Sequence, residues 1–193
     1  MTKAELRIDY LKKRNELSDA EFNECNLLLL QALKTVDWSK FKIIHCFWPI
    51  IEKKEINTIS FIQWLKEQYP EVMIVLPKSD FGKSLMSHIV FEGQDKLEKN
   101  KFGIWEPNSN DLVQANEIDL VLVPLLVADM QGNRVGYGKG FYDRFLSECR
   151  KDCRFVGLSL FEPIPEIEDL NEFDVQIHEC LTPYQRYVFE HWS

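Results

Sequence analysis

Between Arg134 and Asp143 the chain puts a guanidinium, alternating glycines, an ammonium and a carboxylate in one run, Arg134-Val135-Gly136-Tyr137-Gly138-Lys139-Gly140-Phe141-Tyr142-Asp143. Glycines at every second position let the backbone approach an anion and take up positive φ. The segment after them is amphipathic to Cys149, and a helix start presents unpaired N–H groups and partial positive charge. Arg134 and Lys139 add charge, and Asp143 is the kind of carboxylate that holds Mg²⁺ beside phosphates. The bland alternative is a tight strand-to-helix turn with no ligand; the three charged residues favour the phosphate site.

Two familiar nucleotide signatures do not fit. A G-x-G-x-x-G fingerprint would need glycine where Phe141 stands. A P-loop ending in Gly82-Lys83-Ser84 would need its first glycine where Pro77 stands. No G-x-S-x-G elbow is present, which disfavours an α/β-hydrolase. His45, His88, His178 and His191 have no partners at metal-ligand spacing and read as structural. Glu52 and Glu55 could form an acid/base or substrate-holding pair, although a solvated loop with Lys53 and Lys54 is the simpler reading. Trp48, Phe102 and Trp105 could stack on a flat heterocycle or simply serve as core.

The elements that must position these groups alternate between strand and helix. Residues 2–17 read as a helix with Lys3, Arg7 and Arg14 near one face, which spacing alone makes a solvated face. Ser18 and Glu21 form a capping box for a second helix with its body from Phe22 to Leu33. Strands are expected at Phe41–Trp48, at Val72–Leu76 with Pro77 as its stop, and at Leu85–Phe91. Asn57 or Thr58 caps a helix to about Tyr69. The apolar run Asp119–Pro124 reads as a strand buried on both faces, and further strands follow at Phe155–Phe161 and Val175–Leu181. This pattern predicts one α/β domain over residues 1–193, with a mostly parallel central sheet flanked by helices and ligands beyond the strand C-termini.

With 193 residues, 45% hydrophobic and 28% charged, the chain can bury a substantial core. Its net charge of −8 argues against nucleic acid as a partner, and no stretch approaches membrane-spanning length. Its five cysteines are odd in number and scattered, and the charged start does not resemble a signal peptide. A reduced, cytoplasmic setting and a monomeric state are expected.

The run D-x-x-G-x-R-x-G-x-G-x-G-x-Y-D-R from Asp129 to Arg144 closely resembles the signature of the 5-formyltetrahydrofolate cyclo-ligase family. Lys3 and Arg7 match that family's K-x-x-x-R, and Glu55 to Thr58 its E-x-x-T. Leu76-Pro77-Lys78 and Gly103-Ile-Trp-Glu-Pro107 match two further steps. Phe141, Leu125 and Met130 depart from common family residues without removing a charge assigned to catalysis.

The resemblance implies a fold similar to the sugar-phosphate isomerase and CoA-transferase group, and ATP-dependent closure of 5-formyltetrahydrofolate to 5,10-methenyltetrahydrofolate. It turns the Lys3–Arg7 face into a nucleotide contact. The implied ATP site is Lys3, Arg7, Arg134, Gly136, Tyr137, Gly138, Lys139, Gly140, Phe141 and Tyr142, with Asp143 on Mg²⁺. Arg134, Lys139 and Tyr142 are the implied catalytic groups, with Tyr142 near the transferred phosphoryl group. Trp48, Glu55, Phe102 and Tyr142 are the implied folate contacts; the alternative for Glu55 is a helix cap. A non-catalytic ATP-binding regulator and a sugar-phosphate isomerase are the competing functional classes.

Overall fold

The computed structural model describes residues 1–82 and 85–189, so Lys83, Ser84 and His191 lie outside the described residues. Two reciprocal capping boxes open the chain. Thr2 and Glu5 start α1 (Lys3–Glu16), and Ser18 and Glu21 start α2 (Asp19–Lys34), each pair satisfying two N–H groups that the helix cannot. Then come β1 (Ile43–His45), α3 (Ile59–Gln68), β2 (Met73–Asp80) and β3 (Leu85–Val90). Short strands β4 (Leu97–Lys99), β5 (Trp105–Pro107) and β6 (Leu112–Val113) precede the central β7 (Leu120–Pro124). The hairpin of β8 (Val127–Ala128) and β9 (Arg134–Val135) leads to α4 (Phe141–Glu148), and β10 (Arg154–Leu158), β11 (Glu179–Leu181) and β12 (Arg186–Val188) complete the order.

Eight of these strands form one sheet in the order β12-β11-β10-β7-β1-β2-β3-β6. From β11 to β2 neighbours run parallel; β12 and β3 pair antiparallel with their neighbours at either side. The alternation of side chains divides the core. Leu120 and Leu122 face the cluster formed with α2 and α3, while Val121 and Val123 face the cluster formed with α4. The single α/β domain with helices on both faces is therefore as expected.

Pro77 does not end its strand. β2 continues to Asp80, because residues 74, 76, 78 and 80 direct their backbone groups toward β3, whereas Val75 and Pro77 face β1. β1 ends at His45, opposite Val75, so the N–H that proline lacks has no ladder partner to lose. Ser79, next in that phase, donates its N–H to the Glu106 carboxylate at 2.8 Å instead.

Helix α1 lies over the connection that follows β7. Leu6 and Tyr10 pack with Leu126, Val127, Val135 and Ile167, which brings the face carrying Lys3, Arg7 and Arg14 against the glycine loop.

Candidate active site

The turn of the β8–β9 hairpin is held by Asp129, which is fully buried. Its carboxylate accepts the N–H groups of Gln131 and Asn133, each at 2.9 Å, and the Asn133 side-chain amide at 2.8 Å. From this turn the chain enters the glycine loop. Gly138 and Gly140 take φ of 79° and 67°, and Gly140, with no side chain to cap α4, leaves the Phe141, Tyr142 and Asp143 N–H groups without a partner among the described residues. The first N–H groups of α4 thus remain available to a ligand oxygen. A Cβ on Gly138 would lie 2.9 Å from the Arg7 guanidinium carbon, so that position is restricted both by φ and by crowding.

Cations surround this loop. Arg7 Nε donates to the Gly136 carbonyl at 2.8 Å. Arg134, 6% exposed, holds Asp143 Oδ1 at 2.7 Å and also donates to the Val175 carbonyl. Burial lowers the Arg134 pKa, and the neighbouring Asp143 carboxylate opposes that shift. Lys3 pairs with Asp174, and Val175 N–H donates to Asp143 Oδ1 at 3.3 Å, so two ion pairs stand side by side. The Lys139 side chain is exposed and unpaired among the described residues. Asp174 escaped the sequence reading because it lies far along the chain in a polar stretch, with no local signal linking it to the loop.

Glu52 and Glu55 part company. Glu52 is exposed and 3.7 Å from Lys99, whereas Glu55 is 7% exposed. Glu55 is not a helix cap: Thr58 occupies the cap of α3, and Asn57 Oδ1 takes the Ile59 N–H at 3.1 Å. The Glu55 carboxylate instead accepts Ile50 N–H at 2.8 Å and the Tyr137 hydroxyl at 2.6 Å. It lines a shallow cleft with Phe47, Leu125, Leu126, Leu158, Leu160 and Phe161 as apolar walls. That apolar lining around a single carboxylate suits a flat heterocycle with one polar edge.

The two aromatics expected to wall this slot are elsewhere. Trp48 is half-buried on Phe91, ring centroids 5.6 Å apart, and does not line the cleft; its neighbour Phe47 does. Phe102 lines a separate groove with Lys78 and stacks on Phe81 at 4.3 Å. Phe81 in turn meets Phe141 at 5.4 Å, which ties that groove to the start of α4. Tyr142 directs its hydroxyl inward, where it is buried and unpartnered, and His45 leaves both ring nitrogens in the same condition. Burial raises the Tyr142 pKa, the Glu55 charge adding to it, and the phenol is held neutral. Burial and the neighbouring His88 lower the His45 pKa, while burial lowers that of His88 to about 4.

No group of three or more His, Cys, Asp or Glu side chains is placed to hold a metal ion among the described residues. Asp143 and Asp174 fit a Mg²⁺ ion carried in with phosphates, since Mg²⁺ takes one or two carboxylates and completes its shell with phosphate and water oxygens. Both hydrogen bonds to Asp143 among the described residues go to Oδ1, leaving Oδ2 for such a contact. No described helix is long and apolar enough to cross a membrane.

The model of the 5-formyltetrahydrofolate cyclo-ligase family matches residues 1–183. A 5-formyltetrahydrofolate cyclo-ligase from Haemophilus influenzae is 27% identical over 92% of this chain and 95% of its own length. A probable 5-formyltetrahydrofolate cyclo-ligase from Schizosaccharomyces pombe is 30% identical over 79% of this chain and 80% of its own. Among solved structures, the 5,10-methenyltetrahydrofolate synthetase of Aquifex aeolicus superposes with a TM-score of 0.82 at 26% identity, covering 97% of this chain and 93% of that one. A glycine loop capped by an open helix start, a cationic α1 face and a match across nearly all of the sequence lead to one conclusion: this chain belongs to the 5-formyltetrahydrofolate cyclo-ligase family.

Proposed function

We propose that this enzyme closes 5-formyltetrahydrofolate to 5,10-methenyltetrahydrofolate at the expense of ATP, with the nucleotide on the glycine loop and the pterin in the Glu55 cleft. The observation that carries the reading is Tyr137, whose backbone belongs to the glycine loop while its hydroxyl touches Glu55. One residue thereby joins the anion site to the heterocycle cleft.

The formyl oxygen is a poor leaving group. In the proposed route it attacks the γ-phosphorus, ADP departs, N10 adds to the activated carbon, and the C–O bond breaks to release phosphate as N10 loses its proton. The protein's part is alignment and charge neutralisation. The open amides of Gly136 to Tyr142, with Lys3, Arg7, Arg134 and Lys139, bind the phosphates. Arg134 and Lys139 offset the charge that develops during transfer. Tyr142, on the first turn of α4, is neutral and adds no charge to repel the phosphoryl group. Asp143 and Asp174 would hold Mg²⁺, which supplies further neutralisation of the phosphate oxygens. For that, Arg134 and Lys3 turn from their carboxylates to phosphate while the carboxylates turn to the cation.

Glu55 accepts hydrogen bonds from the pterin N–H donors, and Phe47, Phe161 and the leucines exclude water. Phe102, beside Phe81 and Lys78, is assigned to the outer groove where the rest of the folate leaves the cleft. The reading includes a monomer in a reducing cytoplasm, the five free cysteines supporting the reducing setting. The experiment is an isotope transfer. With a heavy-oxygen label in the formyl group, the label should emerge in inorganic phosphate; label found in water would exclude phosphorylation of that oxygen.

A further inference from the structure

Arg14 is 5% exposed, yet its guanidinium is poorly paired. Nη2 donates to the Tyr137 hydroxyl at 2.6 Å, Nε is buried with no partner, and the group sits 5.4 Å from the Tyr137 ring centre. A phenol has a single proton. With Arg14 donating to its oxygen, Tyr137 must direct that proton outward, and the acceptor 2.6 Å away is Glu55 Oε1. Ile50 N–H fixes the other carboxylate oxygen at 2.8 Å. The series has one polarity only, from guanidinium through hydroxyl to carboxylate, and all three side chains line the same cleft.

We propose that Arg14 is a positioning residue for the folate, acting through the Tyr137 hydroxyl to hold the Glu55 carboxylate turned into the cleft as an acceptor. This rests on the reading of Glu55 as the pterin acceptor. Stability does not explain the arrangement. A buried guanidinium with an orphaned N–H is a weak contributor to folding, and apolar replacements of such groups are often neutral or stabilising. Glu55, by contrast, has no cation in direct contact among the described residues, and Arg14 reaches it only through the Tyr137 hydroxyl. A mere strap joining α1 to the loop would need neither the polarity nor the carboxylate at its end.

The test is calorimetric binding of 5-formyltetrahydrofolate without ATP, beside melting temperatures and the two KM values, for Glu55→Gln, Arg14→Met, Arg14→Lys, Tyr137→Phe and the Arg14→Met/Tyr137→Phe double variant. Arg14→Met should weaken folate binding about tenfold, the scale of one charge-assisted hydrogen bond. Its melting temperature should not fall and its KM for ATP should not change. Arg14→Lys should recover most of the loss. Tyr137→Phe should match Arg14→Met in folate affinity, and the double variant should be no worse than either, because one relay cannot be broken twice. Wild-type folate affinity in Arg14→Met while Glu55→Gln is impaired would overturn the role of Arg14 alone, as would additive losses in the double variant. Wild-type affinity in Glu55→Gln would remove the assignment of Glu55 and the Arg14 role with it. Should Arg14→Met fail to fold, Tyr137→Phe and Arg14→Lys decide the question by the same affinities.

Discussion

Asp143 Oδ1 lies 2.7 Å from the Arg134 guanidinium, and that ion pair spans the glycine loop from its entry at β9 to the first turn of α4. The loop is therefore held at both ends before any nucleotide arrives. Arg134 is almost fully buried while Asp143 keeps about a third of its side chain exposed, so solvent screens part of the pair. Asp143→Asn should lower unfolding stability by about 1–2 kcal/mol, less than a fully buried pair would lose. The same variant should need more Mg²⁺ for turnover. Urea melts and Mg²⁺ titrations measure the two effects, and wild-type turnover at limiting Mg²⁺ would remove Asp143 from the metal site.

Gly138 is the loop position least open to substitution. Its φ of 79° disfavours any side chain, and its Cβ would meet Arg7. Gly138→Ala should cost about 1–2 kcal/mol in stability from the backbone alone. Displacement of Arg7 should also raise the KM for ATP. A variant with an unaltered melting curve and ATP dependence would show that the loop opens freely at this point.

Acid should destabilise the protein through its buried histidines. His88 and His178 have folded pKa values of about 4, and burial with the neighbouring His88 holds that of His45 well below the ordinary value. Unfolding restores ordinary values near 6.5. Between about pH 6.5 and 4 the unfolded chain binds more protons, so stability is complete above that window and falls as pH drops through it. Each histidine contributes at most about 1.4 kcal/mol per pH unit. His88→Leu should make the acid limb shallower by about one proton in urea melts against pH; an unchanged slope would mean His88 is charged in the folded protein.

Glu55→Gln should weaken 5-formyltetrahydrofolate binding by about 1.5–3 kcal/mol, the usual scale for a hydrogen bond to a charged group. ATP binding should be nearly unaffected. Because Thr58 and Asn57 already serve the start of α3, the melting temperature should change little. Unchanged folate affinity with a lowered melting temperature would make Glu55 a structural residue.

Local chemistry made much of this legible in the sequence. The Ser18–Glu21 box, the doubly buried run of β7 and the spacing of glycines each depend on near neighbours in the chain; the first two appear as expected, and of the alternating glycines Gly138 and Gly140 take positive φ while Gly136 does not. What was hidden depends on residues brought from afar. Pro77 read as a stop because nothing local says that β1 ends opposite Val75. The β12 strand, only Arg186–Val188, is too short to show an alternating pattern. Trp48 and Phe102 seemed equivalent by composition, yet a change of one position along the chain puts Phe47 rather than Trp48 in the cleft. Arg14 read as a solvated cation, and only the packing of α1 on the β8–β9 hairpin buries it.

The cyclo-ligase assignment is tested most directly by incubating the purified protein with 5-formyltetrahydrofolate, with and without MgATP. The conjugated amidinium of 5,10-methenyltetrahydrofolate is followed by its absorbance beside ADP and phosphate release. Methenyl product should form only when MgATP is present, with one ADP and one phosphate for each ring closed. ATP binding without turnover would indicate a nucleotide-binding regulator, and sugar-phosphate isomerisation without any folate product would indicate the other class. Either result would contradict the account.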